Sequence, residues 1–255
     1  MLDNPYRSLA FVYDRFMSNV DYDIWADYLL TFIRNVSREK YPQVIDCACG
    51  TGALLCRLAK AGMDVTGVDI SAEMLQIAQE KLRMAGYGRM PLVHEDMRQL
   101  RVHHPVDCIL LTCDGINYLA GDSDAERFFM AAHAALKPNG LLLFDISSMF
   151  KLTQVLAGHA FGEDCIDCAY LCQNSYDKKR RLLQMDLSIF VRGEDGSYRR
   201  EEETHFLRAY ETAELETRLS ACGFESIQIF EAFTMNTPHD DSERIQFCAR
   251  RAENG

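Results

Sequence analysis

The apolar positions of this chain change period several times, and each change marks an element. From Tyr6 to Val36 they recur at helical spacing, with Asp3 or Asn4 placed to cap a start before Pro5 and a second start near Asp21. Buried-type strands then alternate with helical stretches. Strands are predicted at Gln43 to Ala48, Asp64 to Asp69, Met90 to His94, Val106 to Thr112 and the run ending at Ile146. Between them the spacing predicts helices from Thr51, over Ser71 to Ala85, and over Asp122 to Leu136. Ser71 is a natural N-cap and Gly86 a natural stop. Such alternation implies an α/β sheet, doubly wound, with ligands at the carboxyl ends of the strands.

After Ile146 the period becomes two. Leu183, Met185, Leu187, Ile189 and Val191 alternate with more polar neighbours, as in an antiparallel strand buried on one face. Gly193 to Gly196 reads as a hairpin turn, and further strands are expected near Asp164 to Ser175 and Tyr198 to Tyr210. A helix over Thr212 to Cys222 and an antiparallel pair, Phe224 to Phe233 with Arg244 to Arg250, complete the pattern. The expected organisation is an N-terminal helical cap (1–40), a core (41–159 and 211–255) and an inserted antiparallel lid (160–210).

The most informative stretch is VIDCACGTG, Val44 to Gly52, a strand ending in a carboxylate and running into a small-residue turn before a helix. Such a turn lets a ligand approach the backbone and the free N–H groups of the helix. A dinucleotide cradle needs a third glycine, and Leu55 stands where it would fall. Asp46 favours a positively charged ligand over a phosphate.

In this turn the chain resembles the class I S-adenosylmethionine-dependent methyltransferases, whose first motif runs acidic, x, small, x, Gly, x, Gly; DCACGTG meets each position. GVDIS, HEDM and LKPNGLLLFDI follow in the order that family shows. The resemblance implies a Rossmann-like seven-stranded sheet with helices on both faces, and S-adenosyl-L-methionine as cofactor, with S-adenosyl-L-homocysteine as its product. It implies a cofactor site of Asp46, Ala48, Gly50, Gly52, Asp69, Ile70, Met74, Asp96, Met97 and Cys113, with Asp69 on the ribose hydroxyls, Asp96 on the adenine amino group and the Met97 N–H against the ring. The segment Tyr6 to Trp25, with CDGINYL (Cys113 to Leu119) and ETHFLRAY (Glu203 to Tyr210), is similar to bacterial members that carry an antiparallel lid and are related to glycine and amino-sugar N-methyltransferases. This places Tyr6, Tyr13 and Trp25 near the methionine end of the cofactor. The arginine that amino-sugar enzymes often supply from this helix has no counterpart at Tyr22 to Trp25.

His205, Asp114 and Tyr13 are the candidate catalytic residues: His205 as general base, Asp114 and Tyr13 as positioning groups. Asn117, Tyr118, Arg208 and Tyr210 are candidate acceptor contacts. Regular alternation puts His205 on the strand face opposite Arg208 and Tyr210. Asp114 has a lesser alternative reading as a helix N-cap, and His205 reads equally as a histidine paired to Glu203 or Glu201.

Composition narrows the acceptor. A formal net charge of −11 gives no attraction to phosphate backbones or anionic lipid, and Lys178 to Arg181 read as a solvated turn. No apolar run reaches the roughly 18 residues of a membrane span, and the N-terminus lacks a signal-peptide pattern, so a cytoplasmic monomer or homodimer is expected. Ten cysteines in a chain of 255 residues need no disulfide framework. Cys165, Cys168 and Cys172 approach metal-ligand spacing, but Cys165 and Cys168 would face opposite sides of a strand, and no metal is expected. The favoured function is methyl transfer to nitrogen or oxygen of a small molecule. A methyltransferase for tRNA or a protein side chain, and a catalytically silent binder, are the alternatives.

Overall fold

A computed structural model describes residues 9–34 and 40–253. The expected Tyr6 contact and the Asp3 or Asn4 cap lie outside the described residues. Two short helices open the described chain, α1 (Ala10–Phe16) and α2 (Tyr22–Ile33). They are separate because Asp21 caps α2, its carboxylate accepting the N–H groups of Asp23 and Ile24.

The core alternates as the sequence predicts: β1 (Gln43–Cys47), α3 (Ala53–Lys60), β2 (Asp64–Asp69), α4 (Ala72–Met84), β3 (Leu92–His94), β4 (Val106–Leu111), α5 (Asp124–Ala135) and β5 (Leu136–Ser147). The Ser71 side chain caps α4 by accepting the Met74 N–H at 3.2 Å. After an inserted sheet come α6 (Thr212–Ala221) and strands Phe224–Glu231 and Arg244–Arg251. With the lid strands β6 (Ala160–Asp164), β7 (Cys168–Asp177), β8 (Leu182–Arg192) and β9 (Tyr198–Arg208), these last two become β10 and β11. The main sheet runs β10-β11-β5-β4-β1-β2-β3, with β11 antiparallel to both its neighbours and the remaining pairs parallel. The second sheet runs β6-β7-β8-β9, antiparallel throughout.

Every residue of β4 is buried, because helices cover both faces. Ile109 and Leu111 join Phe128, Phe129, Phe144 and Phe247 on the α5/α6 side, while Cys108 and Leu110 join Leu29, Ile33, Leu55 and Leu58 on the α2/α3 side. The Phe144 and Phe247 rings stack at 4.7 Å. Each such buried side chain contributes on the order of 1.5–3 kcal/mol. That two-sided core fixes the strand ends from which the site is built.

The two ends of the lid are joined by one buried side chain. Asn117 is fully buried, and its side chain accepts the Ser147 N–H (3.0 Å) and donates to the carbonyls of Ser147 (3.1 Å) and Arg208 (2.8 Å). It therefore joins the residue where the chain leaves the core to the residue where it returns. The expectation that Asn117 touches an acceptor is corrected: its amide is committed to the backbone.

Candidate active site

The turn after β1 is left-handed three times over. Ala48, Gly50 and Gly52 have φ of 53°, 54° and 75°. At Gly50 an added Cβ would meet nothing within 4 Å, so the backbone lies open to a ligand; at Gly52 it would come within 3.1 Å of the Ala78 Cβ, so glycine lets α3 pack against α4. The Asp69 carboxylate holds the turn, accepting the N–H groups of Gly50 and Ser71, each at 2.8 Å. Burial raises its pKa against the pull of those N–H groups. Asp46 is almost wholly buried, and its Oδ1 has no hydrogen-bond partner. Burial, with the Asp69 charge second, pushes its carboxyl up to about 8. A buried acid left in this state fits a site that receives a cation.

The other proposed cofactor contacts are more mixed. Ile70 is half exposed beside Asp69, whereas Met74 is buried at 2% exposure and gives its N–H to the Ser71 hydroxyl. Asp96 accepts from Arg98 through both oxygens, at 2.6 to 3.0 Å, and that ion pair holds its carboxyl below the usual range despite burial. Met97 packs partly buried against the core.

Near the turn after β1 lies a cavity of about 500 Å³ whose wall includes Tyr13, Trp25, Cys113, Asp114, Tyr118 and His205.

 
 Its wall residues Cys113 and Asp114 lead into Gly115, which packs against the turn: a Cβ added there would lie 3.7 Å from that of Ala48. α1 and the lid form its roof. Asp14 of α1 accepts from Thr51 (2.6 Å) and pairs with Lys81 (2.7 Å), Arg15 pairs with Asp167 of the lid (2.7 Å), and the Leu9 N–H donates to Glu203 (2.9 Å).

Two polar groups of opposite construction face this space. On the lid, His205 is 3% exposed and has both ring nitrogens engaged: Nδ1 lies 3.1 Å from the Tyr118 hydroxyl and Nε2 lies 3.1 Å from Glu203. Register places Met185 beside His205 and Leu187 beside Glu203, so apolar side chains flank the chain of polar atoms. At the strand ends, Arg244 pairs with Asp114 (3.0 Å) and with Asp145, whose Oδ2 also accepts the Asp114 N–H (2.9 Å). Burial opposes the Arg244 charge, but the Asp145 and Asp114 carboxylates outweigh it and hold the guanidinium above its usual pKa. Burial raises the Asp145 pKa, and one of its oxygens remains unpartnered. Asp114 has φ of 53° and makes no side-chain cap, so its reading as an N-cap is corrected.

Tyr13 is deeply set in the cavity wall, and burial, then Cys113, raises its pKa well above the usual phenol value. Trp25 meets Phe233 edge to face at 4.7 Å and lies under Arg244, 5.5 Å from ring centre to guanidinium. Sequence reasoning missed Arg244, Asp145 and Phe233; an arginine was sought on the N-terminal helix, and the structure supplies one from β11. Arg208 and Tyr210 face away, as alternation predicts, and their expected acceptor role is corrected. Arg208 pairs with Asp122 (3.0 Å), and the Tyr210 hydroxyl donates to the Leu119 carbonyl. Among the described residues no cluster of His, Cys, Asp and Glu is arranged to hold a metal.

Residues 44–140 match the family described as a methyltransferase domain. Over 246 residues the chain is 33% identical to a candidate methyltransferase of Geobacillus sp. (strain WCH70), spanning 96% of this chain and 99% of that protein. It is 25% identical over 208 residues to the dTDP-3-amino-3,6-dideoxy-alpha-D-glucopyranose N,N-dimethyltransferase of Streptomyces fradiae, across 80% of this chain and 77% of that one. The crystal structure of an S-adenosylmethionine-dependent methyltransferase from Clostridium acetobutylicum ATCC 824 matches with a TM-score of 0.86 at 29% identity, covering 97% of this chain and 99% of that chain.

Proposed function

Because the chain belongs to the S-adenosylmethionine-dependent methyltransferases, we propose that it methylates the nitrogen of a small amine held between the glycine turn and the lid. The residues around the turn fit that cofactor: Asp46 offers an uncompensated buried carboxyl to its cationic end, and Asp69 stands where ribose hydroxyls can donate to it. Bound there, S-adenosylmethionine supplies an electrophilic methyl carbon. The protein's part is to align the acceptor with it and exclude water.

The observation that carries the amine reading is the line Tyr118, His205, Glu203 in the cavity wall. An amine arriving protonated must lose a proton before its lone pair can attack. The Tyr118 hydroxyl can accept that proton while passing its own to His205 Nδ1, and Glu203 stabilises the imidazolium that results. His205 thus acts through Tyr118 rather than touching the acceptor itself. Asp114 and Asp145 outnumber Arg244 at the opposite wall, which favours a cationic acceptor. The amino-sugar N,N-dimethyltransferase relative supports the same chemistry. An oxygen acceptor remains the second reading, since the same line of groups would take a hydroxyl proton.

The test is formation of S-adenosylhomocysteine with a panel of small amines, matched alcohols, total RNA and whole-cell protein. Turnover with an amine and none with RNA or protein is expected. Robust methylation of RNA would replace this reading with a macromolecular one. With an accepted amine, Tyr118→Phe and His205→Gln should each lower kcat by roughly 10²-fold and flatten the acid limb of the pH profile, leaving S-adenosylhomocysteine affinity unchanged.

A further inference from the structure

Three cysteines of the lid were set aside as metal ligands, and the structure arranges them otherwise. β7 begins at Cys168, so Cys165 belongs to the turn before it rather than to the same strand. The Cys165 N–H donates to the Cys168 carbonyl at 2.8 Å across the two-residue turn Ile166-Asp167. Asp164 pairs with Ala169, so the register sets Cys165 directly opposite Cys168, and side chains opposite one another in an antiparallel pair share a face. The expectation that the two sulfurs face opposite ways is therefore corrected. Cys172 is a separate case, its thiol donating to Asn174 at 3.3 Å farther along β7.

We propose that Cys165 and Cys168 form a reversible dithiol–disulfide site, closed by hydroperoxides and reopened by small thiols. Residues directly paired across an antiparallel turn have Cα atoms about 5.5 Å apart, inside the window that a disulfide spans. Cys165 is half exposed and Cys168 fully buried, which divides their roles. The Cys165 thiolate attacks hydrogen peroxide, an S–O bond forms as the O–O bond breaks, and the hydroxide released takes up the proton that the Cys165 thiol shed, giving a sulfenic acid and water. The Cys168 sulfur then attacks that sulfur, the S–S bond forms, and hydroxide leaves to take up the thiol proton. Two thiols and one hydrogen peroxide become one disulfide and two waters. Burial raises the Cys168 pKa while Arg15 works to lower it, which suits the resolving thiol rather than the first one attacked. So small a ring restricts the unfolded chain little, so exchange with free thiols can open it. The pair packs beneath α1 with Leu9, Val12 and Tyr13, beside the Arg15–Asp167 ion pair. Oxidation would therefore act on the helix that roofs the cavity.

The experiment uses the full chain, reduced, desalted and exposed to hydrogen peroxide, then alkylated, digested with trypsin and analysed by mass spectrometry. The peptide holding Cys165, Cys168 and Cys172 should lose two hydrogens, with fragment ions placing the bond between the first two. This should occur at least about tenfold faster than oxidation at Cys49, Cys56 or Cys113, and dithiothreitol should reverse it. Cys172→Ser should behave as the wild type, and Cys165→Ser should abolish the bond. A bond to Cys172, over-oxidation of Cys165 without a disulfide, or no preference over the other cysteines would overturn the proposal. None of these readouts depends on methyl transfer.

Discussion

With Asp46 proposed to receive the cationic end of the cofactor, binding is expected to be a proton-linked event. Its carboxyl is pushed up to about 8, so near pH 7 about nine-tenths of the unliganded protein carries a proton there. A ligand whose cationic end needs the carboxylate must expel that proton, releasing about 0.9 per site near neutrality. Apparent affinity then follows the ionised fraction and should rise about 50-fold between pH 6 and pH 8. The ligand's own α-amino group titrates nearby, so the informative quantity is the difference between the wild type and Asp46→Asn, which keeps shape and burial but cannot ionise. Calorimetry with S-adenosylhomocysteine in buffers of different ionisation enthalpy measures it. Trp25, the only tryptophan, lies in the cavity wall and offers an independent fluorescence titration. Equal proton release in both proteins would refute the reasoning. The same shift has a stability consequence of fixed sign. Folding raises this carboxyl above the ordinary carboxylate value of 3.8, so the unliganded protein loses stability as pH rises from roughly 4 to about 8. Asp46→Asn should reduce that loss in urea melts.

Asp69→Ala should weaken S-adenosylhomocysteine binding by on the order of 1–3 kcal/mol by calorimetry and lower thermal stability too, because the Gly50 and Ser71 N–H groups lose their acceptor. Arg244→Met strands Asp114 and Asp145 without their partner and should cost about 3–5 kcal/mol in denaturant unfolding. Lys81→Met breaks a pair with Asp14 that is partly exposed on both sides, so global stability should change by less than about 1 kcal/mol. Hydrogen exchange should nonetheless quicken in α1.

What the sequence disclosed was local. The turn from Asp46 to Gly52, the Ser71 cap and the alternation from Leu183 to Val191 each depend on near neighbours, and each was legible from spacing. The Arg244–Asp114 pair joins residues 130 positions apart, and no local pattern announces it. Arg208, Tyr210 and Asn117 misled for the opposite reason. Polar side chains near a predicted active-site turn look like acceptor contacts, yet these satisfy backbone carbonyls and ion pairs where lid and core join. The pairing of His205 with Glu203 was legible because strand residues two apart share a face. The Tyr118 hydroxyl was not, because it comes from the turn after β4, 87 positions away in the chain.

The junction at Asn117 separates two kinds of change. One buried amide joins the residues on which the lid departs and returns, so the distance between its ends is set by the core and not by the lid's own length. Strands can lengthen, shorten or exchange their cavity-facing side chains without shifting the register of β4, β5 and β11. The turn proposed to receive the cofactor lies on the other side of that boundary, in residues the lid does not pair with. Acceptor preference can therefore drift by substitution within residues 160–208 while cofactor recognition is held constant. Two chains of this architecture could share their cofactor chemistry and differ in almost every molecule they methylate.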